Sequence, residues 1–323
     1  MKVAELLETR RRNWQQLEQL CISMENRRKK KVGAATVSRF ATLYRAACAD
    51  LALADAYQLP PNTVQYLHQL VGRAHNQLYR SRMFDVEKWG RTLLVDVPQR
   101  VFNDRCVQVV FCLFWFVFIT SAILAAFPDR FPQYAELIMG PEMINQLETS
   151  FSVEMGGRDA GASYVMASTY IYHNTSIGLK CFAWGLGVVP GLYATVFNAA
   201  VIGAAFGYMA RPDVPQSANF FNFVTAHGPF ELTAIVLAAG AGLRLGMSLV
   251  VTNGLSRLSS LRKTAEEAMP LMGAAMVLFF LAALIEGFLS PSGAWYWLKA
   301  TVAFLSSGML MFYFVILGFP RRG

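Results

Sequence analysis

The sequence is poor in the features that mark a secreted, disulfide-knit or metal-organised protein. Its five cysteines, Cys21, Cys48, Cys106, Cys112 and Cys181, are scattered, none falls in a predicted outer loop, and no two have the paired spacing of a structural zinc site. A buried thiol of this kind packs as a small hydrophobe. The sequence also lacks a His-Glu-x-x-His zinc motif and a Gly-x-Ser-x-Gly nucleophile elbow, and no predicted span contains aspartate. No catalytic residue, metal or cofactor is therefore expected, and an enzyme, specifically a membrane-embedded hydrolase, ranks last among the functional readings. No apolar stretch precedes Cys106 and the opening residues are charged, so a cleavable signal peptide is not expected.

What is present divides the chain in two. Residues 1–105 hold 18 Lys and Arg against 10 Asp and Glu, whereas the rest holds 11 of each, so the whole net charge of +8 lies in the first part. Residues 106–323 are apolar enough for a membrane domain. Cys106 to Phe127 is 22 residues without a charge, and about 20 apolar residues cross the roughly 30 Å hydrocarbon layer as a helix.

After this span the chain is polar and acidic at about 128–173, with Arg130 and Arg158 against six acidic residues. Because basic residues are retained inside, this segment is expected on the extracytoplasmic side, with a surface helix at Ala135–Phe151. Residues 174–210 are too long for one span, and Gly185, Gly187, Pro190 and Gly191 predict a break near the middle. Two full spans and a re-entrant hairpin both return the chain to the same side. Further spans at about Pro229–Val251, Pro270–Leu289 and Trp295–Phe319 follow, with Arg257, Arg262, Lys263, Arg321 and Arg322 at their inner ends. The fold class expected is all-α: a polytopic membrane bundle of about six segments with an N-terminal cytoplasmic helical domain. The location expected is the inner, cytoplasmic membrane, with both termini in the cytoplasm.

In the first part Val3, Leu7, Trp14, Leu17, Cys21 and Met24 form one helical stripe. Arg39–Tyr57 and Thr63–Tyr79 supply partner helices, separated by Pro60 and Pro61, and a helical bundle is the simplest assembly. The run Arg27 to Lys31 reads as a contact with membrane lipids; without interleaved aromatics or a recognition motif, nucleic acid is not an expected partner.

Ionisable groups inside spans are costly, so each is a candidate for function. In His227-Gly228-Pro229-Phe230-Glu231 the proline fits the first helical position, which makes Gly228 the cap and lets Glu231 reach back to free amides. The competing reading is a polar site in which His227 and Glu231 move protons or bind an ion. Glu286 is expected at a similar depth, and Asn174 and Lys180 stand at the outer start of the preceding apolar region, so that these groups can converge and Lys180 can neutralise either carboxylate. Arg244 is expected to snorkel to the cytoplasmic face, and Asn198 to satisfy backbone groups freed at the break. Ala238, Gly242 and Gly246 repeat at four-residue spacing and permit close helix approach, within a protomer or in a homo-oligomer, of which a dimer is favoured.

Several of these residues together resemble the stage II sporulation protein M-like family of integral membrane proteins. In the membrane half the resemblance rests on Asn174, the Gly/Pro break followed by Thr195 and Asn198, the His227 to Glu231 motif, Ala234-Ile235, and Ala241-Gly242-Leu243-Arg244-Leu245-Gly246. The first part is similar to versions from bacteria that do not sporulate, in Tyr44-Arg45, Asp50-Leu51-Ala52, Tyr66-Leu67, Ala74-His75 and Leu78-Tyr79. Ala199 stands where the family commonly has glycine. The resemblance implies a scaffold or component of a membrane-envelope complex, since the sporulation member acts with a peptidoglycan-degrading enzyme and a second membrane protein. It also implies a cytoplasmic protein partner for residues 1–105. A transporter or channel using His227, Glu231 and Glu286 is the alternative.

Overall fold

The computed structural model describes residues 3–26, 33–78, 90–153, 156 and 160–320. It is helical, with no strand among the described residues. The chain folds as two units, residues 1–86 and 87–323.

In the first unit α1 (Val3–Asn26), α2 (Ala34–Ala56) and α3 (Pro61–Leu78) pack around one core. Proline opens α3 because the first turn of a helix leaves its amides unpaired in any case. The predicted stripe on α1 is the buried one at Trp14, Leu17 and Cys21; the side chains of Val3 and Leu7 and the basic run Arg27–Lys31 lie outside the described residues. The core also contains a charge. Asp50, fully buried, accepts from Trp14 Nε1 at 2.8 Å and from the Arg10 guanidinium. Tyr44 Oη meets His75 Nδ1 at 2.9 Å, and Tyr66 Oη donates to Glu18 at 3.2 Å. Burial, reinforced by the Glu18 carboxylate, raises the Tyr66 pKa above its usual value.

In the second unit the described residues begin with helical Gly90 and Arg91, followed by a π-helical turn, Thr92–Asp96, and the short α4 (Val97–Asn103). Asp104 then caps α5 (Arg105–Ala126), accepting from the amides of Cys106 and Val107 at 2.8 and 3.2 Å. The predicted surface helix is α6 (Tyr134–Ser150), kinked where Gly140 takes φ 75° before Pro141. The next helix, α7 (Ala160–Gly185), begins well inside the stretch read as a polar loop. At 26 residues it extends about 39 Å, enough to cross a bilayer. Its partner α8 spans Val189–Met209. The break between them falls where glycine and proline place it, and two long helices, instead of a short re-entrant pair, meet there. Val188 at its centre has φ 54° and ψ −71°, with Val189 N bonded to Gly187 O at 2.6 Å. A left-handed φ at a β-branched residue costs on the order of 1–3 kcal/mol and persists only where the surroundings impose it.

After the short α9 (Ser217–Val224) come α10 (Gly228–Val250), α11 (Arg257–Leu284) continued by a π-helical turn at Ile285–Leu289, and α12 (Tyr296–Met311) continued by another at Phe312–Ile316. Among the described residues five helices, α5, α8, α10, α11 and α12, are long and apolar enough to cross a membrane. Within these stretches α10 is 72% buried, against 22% for α5 and 17% for α12, so α10 is the axis and the other two turn apolar faces outward. The small-residue stripe explains this centrality. A Cβ on Gly242 or Gly246 would collide with the α7 backbone at Phe182 O or Gly185 O, and one on Gly207 of α8 would collide with Ala122 O of α5. These contacts are made within one protomer.

Candidate functional site

α10 starts one residue earlier than the motif suggests. His227 is the N-cap residue, Gly228 and Pro229 occupy the first two helical positions, and no side chain caps the helix. Proline suits the second position as well as the first, because neither amide has an intrahelical partner. Glu231 is thereby moved along the helix and does not reach back to the amides. Its Oε2 instead faces His227 Nε2 at 3.7 Å.

The chain brings a second carboxylate to this place by a change of helix type. Glu286 lies in the π-helical turn Ile285–Leu289, where an extra residue per turn alters the direction in which side chains leave the axis. One ligand-type atom from each of His227, Glu231 and Glu286 lies within 4.8 Å of the others. Asn174, 2% exposed on α7, donates from Nδ2 to Glu286 Oε2 at 3.1 Å. The ring of Phe223 meets that of His227 edge-on, with centroids 5.5 Å apart. α7, α10 and α11 thus meet in one polar knot. Two acids and an imidazole at this spacing are equipped to share a proton or hold a cation.

Two further residues, absent from the expectations drawn from sequence, belong to the knot. Ser290 Oγ meets His227 Nδ1 at 2.9 Å. Lys299, 1% exposed on α12, donates from Nζ to the carbonyls of Ser290 and Ser292 at 2.8 and 3.0 Å. A lysine within an apolar span carries the signal of costly burial, so Lys299 was accessible to that rule. Ser290 gives no comparable signal.

The other expected members lie elsewhere. Lys180 is exposed on α7 and forms no ion pair among the described residues, so it does not neutralise the cluster. Asn198 does not serve the break: its Nδ2 donates to Ala194 O at 2.8 Å within α8 and reaches Cys181 Sγ at 3.7 Å. Arg244 does not simply snorkel to water. It bridges Asp104, the cap of α5, and Glu267 of α11 at the opposite end of α10 from His227. Only long-range pairing puts those two acids beside it.

The family model described as stage II sporulation protein M matches residues 109–291, which include Asn174, His227, Glu231 and Glu286. The chain belongs to the stage II sporulation protein M family. A second match, to a domain of unknown function (DUF8413), covers residues 4–80, which take in α2, α3 and all but the first residue of α1. No curated protein and no solved structure matches the chain. In this member of the stage II sporulation protein M family, the motif residues serve different ends. His227 and Glu231 build the polar knot, whereas Gly242 and Gly246 build the seam between α7 and α10. Arg244 joins three segments at the far end.

Proposed function

We propose that this membrane protein resides in the cytoplasmic membrane with both termini in the cytoplasm and acts as a scaffold. In this reading the basic N-terminal part docks a cytoplasmic protein partner, and the helical bundle holds it at the membrane. The observation that carries the reading is the backbone-to-backbone packing of α10 on α7 and of α8 on α5, through Gly242, Gly246 and Gly207. Alternating access needs repeats that separate around a site, and helices in such contact resist separation. Charge supports the orientation: Arg100, Arg105, Arg257, Arg262 and Lys263 flank the Arg244 end of the bundle. With α7 counted beside the five apolar helices, six crossings return the chain to the side it left.

A dimer, if formed, would use a face other than the Gly242 stripe, which is filled within the protomer. The test is affinity capture of the full chain from detergent, beside a chain lacking residues 1–86. A partner bound only by the full chain is expected. Capture of this chain alone, with normal growth of cells carrying the shortened form, would defeat the scaffold reading. The polar knot favours ion transport as a second reading, for which Glu231→Gln and Glu286→Gln should abolish flux in sealed vesicles.

A further inference from the structure

We propose that His227, Glu231 and Glu286 bind a divalent first-row transition-metal ion, for which zinc is the natural probe. The first reason is charge. Two carboxylates within 4.8 Å of each other and of an imidazole, at one end of an apolar bundle, repel each other, and their burial adds to the cost. A divalent ion between them makes the group neutral as a whole, with the imidazole uncharged. Lys299 does not do this work, because its ammonium is directed at the Ser290 and Ser292 carbonyls.

The second reason is the histidine. His227 is 4% exposed, and its Nδ1 is occupied by Ser290 Oγ at 2.9 Å. A partner on one ring nitrogen is the usual device that fixes the tautomer of a metal-binding histidine and leaves the other nitrogen to the metal. Nε2 points into the cluster at 3.7 Å from Glu231 Oε2, too far for a hydrogen bond. Two donors each about 2.1 Å from a tetrahedral ion stand roughly 3.4 Å apart, so a small inward movement would seat one.

The third reason is support. Asn174 Nδ2 holds Glu286 Oε2 at 3.1 Å, as a residue behind a metal-binding carboxylate would. The three donors come from the start of α10 and the turn that ends α11, so the ion would join two helices. A nitrogen and carboxylate donor set suits zinc, manganese or ferrous iron, and three protein donors leave a tetrahedral ion one further position.

The site is independent of the scaffold reading: zinc binding without a captured partner, or a captured partner without zinc, separates the two. The full chain, carrying a tag without histidine, is placed in lipid nanodiscs, and bound metal is measured by mass spectrometry and by titration with Zn(II) and Co(II). About one ion per chain is expected, with the visible absorption of Co(II) in a low-symmetry site. Glu231→Gln and His227→Ala should lose at least nine tenths of the bound metal, and Lys180→Gln should lose none. Ser290→Ala should keep the stoichiometry but weaken affinity roughly 10- to 100-fold, the usual effect of removing an outer-shell partner. Monodisperse wild-type protein that takes up neither ion, or a Glu231→Gln protein that binds as well as wild type, would overturn the proposal. If the variants do not fold, the wild-type titration and the Ser290→Ala affinity still decide it.

Discussion

At the scale of single residues, the first unit shows how a small helical core accommodates charge. Asp50 is fully buried yet satisfied by Trp14 Nε1 and the Arg10 guanidinium, so it fixes the spacing of α1 and α2 while costing little. Asp50→Ala leaves the indole N–H without its acceptor and is expected to cost about 2 kcal/mol. A fragment of residues 1–86 contains Trp14 as its sole tryptophan, so urea unfolding followed by fluorescence measures the loss directly. Tyr66 gives a pH test in the same fragment. Because burial and Glu18 raise its pKa in the folded state, its neutral form contributes stability that is present below pH 10 and lost as pH rises through the elevated folded value. Unfolding free energy is therefore expected to fall in alkali with a slope that Tyr66→Phe reduces. An unchanged slope in that variant would assign the alkaline loss to other groups.

At the scale of helices, glycine decides which faces meet. Gly207→Leu places a side chain against Ala122 of α5 and is expected to destabilise the bundle by about 3 kcal/mol or to prevent its assembly. Gly273→Leu, where a Cβ would meet nothing within 4 Å, should change thermal unfolding in detergent by no more than about 0.5 kcal/mol. Arg244 is the polar counterpart of these seams. Arg244→Ala removes the charge that faces the buried Asp104, with an expected loss of about 3 kcal/mol, and a cycle with Asp104→Asn should reveal coupling of roughly 1–3 kcal/mol.

The elements themselves were legible wherever a local signal exists. The break at Gly185 to Pro190, the start of α10 to within one residue of Pro229, and the three N-terminal helices follow from proline, glycine and periodicity, which act on neighbouring residues. What escaped the sequence was set at long range or by irregular backbone. The early start of α7 escaped a hydropathy reading because Tyr164, Ser168 and Thr169 make the stretch polar, whereas in the helix the Ser168 and Thr169 hydroxyls bond back to the carbonyls four residues earlier. Glu286 could be placed at the right depth, but its aim depends on a π-helical turn that no spacing announces. The pairing of Arg244 with Asp104 and Glu267 depends on packing between distant segments, as does the exclusion of Lys180 from the knot.

At the scale of the molecule, the polar knot and the Arg244 junction occupy opposite ends of α10. The charges about these ends lead to a test of orientation. In a cysteine-free background, Asp213→Cys is expected to react with an impermeant maleimide added to intact spheroplasts, and Thr252→Cys only after permeabilisation. Labelling of both from outside would reject the proposed orientation.

The Arg244 junction also bears on how the chain is made. Asp104 stands at the entrance to the first apolar helix to leave the ribosome, while Arg244 follows 140 residues later and Glu267 later still. During synthesis that first helix must wait beside the translocon with an acidic residue whose eventual counter-ion is still untranslated. Arg244 arrives with the third of the five apolar helices and Glu267 with the fourth, so the earliest helix gains its counter-ion only when the third is made, and the junction is complete only with the fourth.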